Sequence, residues 1–293
     1  LALASRPNNG KIQGPKALFL GRPVFASLRK ARSGGARWTL SLGLPADYFA
    51  ALMHEQPTWA HMLGDLSEVA SFEDASREAE DRQIAELDQF VAHAGAIEGL
   101  EGDDWVTQQV IISHARTNAE VLRHRLVQIT ADPIFGPQTT LPIVAGMLGI
   151  PTAEVAEATL DKVAGMGVHY RQLAQRIAEG VAAGRAPARF AVQGVIEQLD
   201  QMVAAPAQDD PLVLAFQLPA EVDAQQWRAR CAEVVEQEVR PGMLAYRDAL
   251  HDLALPIARS RGMPRGSRNA GVITSAMNCP AAQSRVCRTR SSR

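Results

Sequence analysis

The sequence predicts an all-α protein built as an array of long amphipathic helices, and three features carry that prediction. Ala, Gln, Glu and Leu, all good helix formers, dominate the middle of the chain. Aromatic residues make up only 5% against 46% apolar residues, a mixture that favours helices over sheets. Apolar residues recur at helical spacing between proline and glycine breaks, with no repeat at a fixed solenoid period. A chain of 293 residues has room for one large domain or two small ones, and enough volume to bury a core.

The first helical pattern is "LPADYFAALMHEQP", in which Tyr48, Phe49, Leu52 and Met53 form one apolar face. Pro57 ends that helix or starts a new one, because proline lacks an N–H and clashes with the preceding turn, costing about 3 kcal/mol inside a helix. Gly64 and Asp65 close the second piece. A long helix follows in "SFEDASREAEDRQIAELDQFVAHAGAI", with Ile84, Leu87, Phe90 and Val91 as its apolar stripe and Ala79, Gln83 and Glu86 facing outward. The next, "DDWVTQQVIISHARTNAEVLRHRLVQI", opens on an Asp pair suited to the positive end of a helix dipole. Val110, Ile111, His114, Val121, Leu122 and Leu126 are expected on its buried side.

Pro and Gly then concentrate in "TADPIFGPQTTLPIVAGMLGIP", an irregular connection holding a short helix and the one loop long enough to suspect of function. A structural crossover is the simpler role for it. Thr152 caps the following helix, which Gly165 and Gly167 are expected to bend. Pro187 starts another helix, through "VIEQLDQMVAAP". The last two, "AEVDAQQWRARCAEVVEQEV" and "PGMLAYRDALHDLALPIAR", are divided at Pro241. Trp59, Trp105 and Trp227 are expected to anchor helix contacts.

The net charge of -2 hides a division along the chain. Every acid lies between Asp47 and Asp252, while sixteen of the thirty Lys and Arg residues lie in residues 1–46 and 259–293, leaving a centre near -18. An acidic centre does not attract nucleic acid, and the basic ends show no RNP, zinc-finger or helix-turn-helix signal. Beyond Gly262 helical periodicity and acids disappear into Arg, Ser, Ala and Cys, the composition of a high-GC gene read out of frame. A genuine basic disordered tail is the alternative. The expected organisation is a basic disordered extension over 1–45, a helical region over 46–262 and a basic tail, disordered or frameshifted, over 263–293.

Cys231, Cys279 and Cys287 give an odd count that implies neither a disulfide framework nor a zinc ribbon. The longest apolar run, "TTLPIVAGMLGI", falls short of the ~20 residues that span a bilayer. "KALFLGRPVFASLRKARSGG" has the cations and apolar residues of a targeting peptide, but Arg22 interrupts it and no clean cleavage site follows, so the cytoplasm is the expected location.

The stretch "LMHEQPTWAHML" carries the letters of a zinc motif. H-E-x-x-H works because ligands at i and i+4 share a helical face with the Glu beside them as base. Here Thr58 stands in place of the second His after His54 and Glu55, and Pro57 breaks the helix that would align His61. Glu120 and His124 form an E-x-x-x-H pair of the kind common on helix surfaces. Asp248 and His251 give one D-x-x-H, without the second motif and further acids of a di-metal bundle. His93, His114 and His169 sit singly among apolar positions, and Cys231 reads as a core thiol. No G-x-S-x-G elbow, phosphate loop or G-x-G-x-x-G turn is present. The residues themselves therefore assign no catalytic, cofactor-binding or metal-ligating role.

Several stretches, in order, resemble the N-terminal half of the bacterial DUF885 family: "DYFAALMHEQPTWAHMLGD", "FGPQTTLPIV", "VHYRQLAQRIAEGVAAGRAPARFAVQGVIEQLDQM" and "VEQEVRPGMLAYRDALHDLALPIARSRG". The last includes Pro241, Tyr246 and Leu250, and the resemblance covers residues 46 to 262. It implies a mostly helical protein grouped with zincin-like metallopeptidases, whose H-E-x-x-P-G-H-H type motif lies on a later helix with no counterpart in this chain. For full-length relatives it implies hydrolysis by a zinc-activated water with a Glu as base. For this chain it implies the helical cover of such a site without the site, of truncated, frameshifted or pseudogene origin. No cofactor is expected in this chain, and the expected partner is a missing or separately encoded C-terminal half. Self-association through the apolar face left by that half is expected too, with no membrane insertion. A non-catalytic helical interaction module is the rival reading.

Overall fold

In the computed structural model of the protein, residues 36–259 are described, with side chains from 43 onward. Residues 1–35 and 260–293 lie outside the described residues, and with them Cys279, Cys287 and most of the expectation that the basic ends are disordered; the part of the 1–45 extension from Ala36 onward is instead helical, as the start of α1. All regular structure among the described residues is helical, so the fold is all-α as the composition requires. The chain divides into two compact units, Leu1–Ala50 and Ala51–Arg293. Of the first, the described residues belong to helix α1 (Ala36–Glu55).

In the second unit, Pro57 is the first residue of the short helix α2 (Pro57–Met62), as a residue without an N–H to satisfy should be. Gly64, at φ +89°, ends it: its N–H donates to the His61 carbonyl and that of Asp65 to Ala60, each at 3.0 Å. This is a Schellman stop, and it needs a residue that tolerates the left-handed conformation. Helices α3 (Arg77–Gly95) and α4 (Gly102–Arg123) form an antiparallel hairpin. Ser76 caps α3 by accepting from the Ala79 N–H.

The buried seam of this hairpin is narrower than apolar periodicity suggests. Ala79, expected to face outward, is buried with Leu87, Phe90 and Ala94, and on α4 the buried positions are Gln108, Ile111, Ala115 and Ala119. Val110, His114, Val121 and Leu126, expected inside, are exposed. Alanines let the two backbones approach closely, so the larger side chains one position away turn to solvent.

Helix α5 (Pro137–Ala145) lies within the Pro- and Gly-rich connection. The 30-residue helix α6 (Ala153–Ala182), capped by Thr152, is the axis of the core. Neither Gly165 nor Gly167 interrupts it; they are points of contact instead. A Cβ on Gly167 would overlap the Glu238 carbonyl, and one on Gly242 would overlap the carbonyl of Gly167, so two backbones cross there in contact. Helix α7 (Arg189–Ala204) begins two residues after Pro187, and α8 (Pro211–Ala215) is capped by Asp210.

The C-terminal helical run is not divided at Pro241. Helix α9 (Ala224–Val234) passes through a π-helical turn (Val235–Val239) into α10 (Arg240–Asp248), and a second π turn (Ala249–Ala254) leads into α11 (Leu255–Ile257). The Arg240 N–H reaches back five residues to Val235, and that of Leu255 to Leu250. Each π turn ends two residues before a proline, with Arg240 before Pro241 and Leu255 before Pro256. The one-residue insertion takes up the ring clash and the missing donor that would break a regular helix. Against α6 this run buries Trp227, Cys231, Val239, Met243, Tyr246 and Leu250. The Trp227 indole donates to the Ala156 carbonyl at 2.9 Å and meets Phe216 edge-on at 5.3 Å. Trp227 is thus a helix anchor, whereas Trp59 and Trp105 are half exposed and are not.

Candidate functional site

The densest polar arrangement in the second unit runs along one face of α6. Lys162, Gly165, His169, Gln172, Arg176 and Glu179 follow each other at intervals of three and four, so they form one stripe. Along it, in the same direction, lies the segment from Ser71 to Glu80. Lys162, fully buried, donates to the Ser71 carbonyl. Gly165 leaves room for Phe72, whose ring meets His169 edge-on at 5.3 Å. His169 Nδ1 donates to the Glu73 carbonyl at 3.0 Å. The Gln172 amide accepts from the Ala75 N–H at 2.9 Å and donates to Asp74 at 2.7 Å. A strap without regular structure is thereby held to α6 at three backbone groups, the Ser71 and Glu73 carbonyls and the Ala75 N–H.

Glu73 turns its carboxylate the other way, accepting from the Thr58 N–H at 2.9 Å and the Thr58 hydroxyl at 2.8 Å at the start of α2. His61, also on α2, is buried and donates from Nε2 to the Gly149 carbonyl at 2.8 Å, while its Nδ1 has no partner. Burial lowers the pKa of His61 and His169, so both favour the neutral imidazole. Burial also brings Lys162 down to about 8, against the opposing pull of Glu73 and Glu68.

At the far end of the stripe an ion network ties three elements together. Glu80 on α3 pairs with both Arg176 and Arg125, and Arg125 also pairs with Asp81. Arg176, 1% exposed, adds Glu179 at 2.8 Å. Arg125 is held at φ +52°, among the described residues the one non-glycine in the left-handed region. A strained backbone at that point turns α4 into the next segment and aims its guanidinium at two acids.

The residues singled out by sequence do not converge. His54 is exposed and bonded to Glu68 at 2.7 Å, a hydrogen bond that raises its pKa; Glu55 is raised by burial. Glu120 and His124 are exposed, and His251 pairs with its neighbour Asp252 at 2.7 Å rather than with Asp248. His114 is exposed beside Asn118, and His93 is half-buried. The Cys231 thiol is pushed up to about 12 by burial, as a core thiol should be. Among the described residues no three His, Cys, Asp or Glu side chains gather as a metal ion requires. The zinc that the resemblance implies for longer relatives therefore has no fitting donor set among the described residues. Among these residues no helix is long and apolar enough to cross a membrane.

Sequence reasoning missed the α6 stripe and the Arg125 network. The signal was present as polar residues at 3-4 spacing, the complement of the apolar period normally sought.

These features define a helical protein organised around one long central helix and a pinned strap. The chain belongs to DUF885, described as a bacterial protein of unknown function, whose family model matches residues 57–270. None of the curated proteins matches it significantly. Four solved chains do, among them a "putative lipoprotein" from Colwellia psychrerythraea. That structure shares 19% identity at a TM-score of 0.63, over 80% of this chain and 45% of its own. The likeness is one of fold, and this chain spans less than half the length of that one.

Proposed function

We propose that this chain is the helical, non-catalytic portion of a DUF885 protein, covering a zinc-dependent, peptidase-like hydrolytic site carried by other residues. The observation that supports this most is the use of the ionisable groups. Lys162, His169 Nδ1, Arg176, Glu80 and Glu73 are each bonded to the strap, to α2 or to one another, so these groups serve to hold the strap and helices together. The greater length of the solved neighbour is consistent with a missing or separately encoded C-terminal half as the natural partner. The test is reconstitution: the purified chain should show no peptidase or esterase activity, and should bind the remaining half of a longer relative. Hydrolysis by the chain alone would refute the reading.

An independent helical binding module is the second reading, supported by the apolar side chains exposed around α5. A monodisperse monomer with cooperative unfolding favours it. We assign the cytoplasm as its location; the lipoprotein character ascribed to the solved neighbour favours the cell envelope instead, and fractionation of cells expressing the tagged chain decides between them.

A further inference from the structure

One surface of the second unit is apolar well beyond what a monomer leaves bare. Ile134, Phe135, Ile143, Met147, Phe190 and Leu214 are between 54% and 76% exposed. They lie on neighbouring elements. Pro133 packs on Gly194, one turn along α7 from Phe190, and its carbonyl accepts from Gln198 at 2.8 Å. Ile134 and Phe135 follow Pro133 directly. Gly146, between Ile143 and Met147, packs against Ala215 of α8, next to Leu214. The six side chains leave in solvent the equivalent of about four whole large residues, or roughly 800 Å² at ~200 Å² apiece. Monomers usually leave patches of about 300–600 Å², whereas one side of a standard protein interface covers about 800 Å².

From this we infer that the face formed by residues 133–147, Phe190 and Leu214 joins two copies of this chain in a symmetric dimer. Charge points to a second copy. No ionisable residue occurs between Asp132 and Glu154, although the centre of the chain is strongly acidic. A two-fold contact places a surface against itself, so any charge at its middle would meet its like; here apolar meets apolar. The face is also held rigid. Asp132 accepts from the N–H groups of Ile134 and Phe135 at 2.8 and 2.9 Å, and Gln138 donates to the Asp132 carbonyl and to Gln198, each at 2.8 Å. Little ordering is left to oppose association. This inference is independent of the hydrolase reading.

Sedimentation equilibrium of the full chain between 0.5 and 50 μM tests it, with Phe135→Glu/Phe190→Glu and, separately, Ile143→Lys as variants and Val110→Glu on α4 as control. Circular dichroism verifies that each is folded. The wild type and Val110→Glu should dimerise, and both face variants should raise the dissociation constant at least tenfold. Three results overturn the inference: a wild-type monomer at 50 μM, open-ended aggregation, or a dimer that survives the face variants. A wild-type monomer that binds the remaining half of a longer relative through Phe135 and Phe190 also overturns it, giving the face a different occupant.

Discussion

Lys162 is fully buried on α6 and donates its ammonium to the backbone carbonyl of Ser71, 91 residues earlier in the chain. Removing the donor gives up a part-buried hydrogen bond made by a charged group, worth about 1.5–3 kcal/mol. Lys162→Met, which keeps the aliphatic stem, should therefore destabilise the chain by about that amount in urea unfolding at pH 7. The strap at 71–75 should become the first segment cut by protease.

The same lysine gives a pH dependence. Its folded pKa is about 8 against an ordinary 10.5, so between these values the unfolded chain binds more protons. Stability should then rise with pH from about 8 to 10.5 and be flat in this respect below 8. The gain, on the order of 3 kcal/mol at most, is read as the difference between wild type and Lys162→Met over that window. A difference that falls with rising pH contradicts the burial of the ammonium.

His61 and His169 act on the acid side. Burial holds both below their ordinary 6.5, so the unfolded chain takes up protons first as pH falls, and stability should drop as pH passes below 6.5. His61→Gln keeps an N–H donor for the Gly149 carbonyl and removes the titration. It should flatten part of that decline in urea midpoints measured from pH 7.5 to 5.

Glu80 neutralises Arg176 and Arg125 together. Taking away one partner of a buried pair costs about 3–5 kcal/mol, because the other charge stays behind without compensation. Glu80→Ala should reach that range in equilibrium unfolding, whereas Glu157→Ala, which breaks the exposed pair with Arg230, should cost about 0–1 kcal/mol.

Gly167 and Gly242 are set by contact between backbones. Gly167→Ala places a methyl on the Glu238 carbonyl, which cannot move as a flexible side chain would, so the loss should reach or exceed the ~1–3 kcal/mol typical of overpacking. Gly95→Ala, at the open end of α3, should be neutral or slightly stabilising in the same thermal melts.

Local rules placed the helix stops and starts correctly at Pro57, Gly64 and Thr152, because each acts through its own backbone within one turn. Apolar periodicity failed on α4, since it weights Val110 and Val121 above Ala115 and Ala119, and closeness of approach selected the alanines. Pro241 read as a boundary because a regular helix cannot hold it; a π turn can, and nothing local in "VEQEV" announces one. The strap was illegible for another reason: Ser71 to Ala75 have no period of their own, and their partners lie about 90 residues away. The resemblance identified the family, while the α6 stripe stood in the sequence only as polar residues at 3-4 spacing, a period that the search for apolar faces passes over.

The central claim, that this chain covers a hydrolytic site without containing one, is tested most directly by its metal content. Purified full-length chain, dialysed against metal-free buffer and analysed by mass spectrometry for zinc, should retain well under one ion per chain. One tightly held zinc per chain, removed only by a strong chelator, would contradict the account.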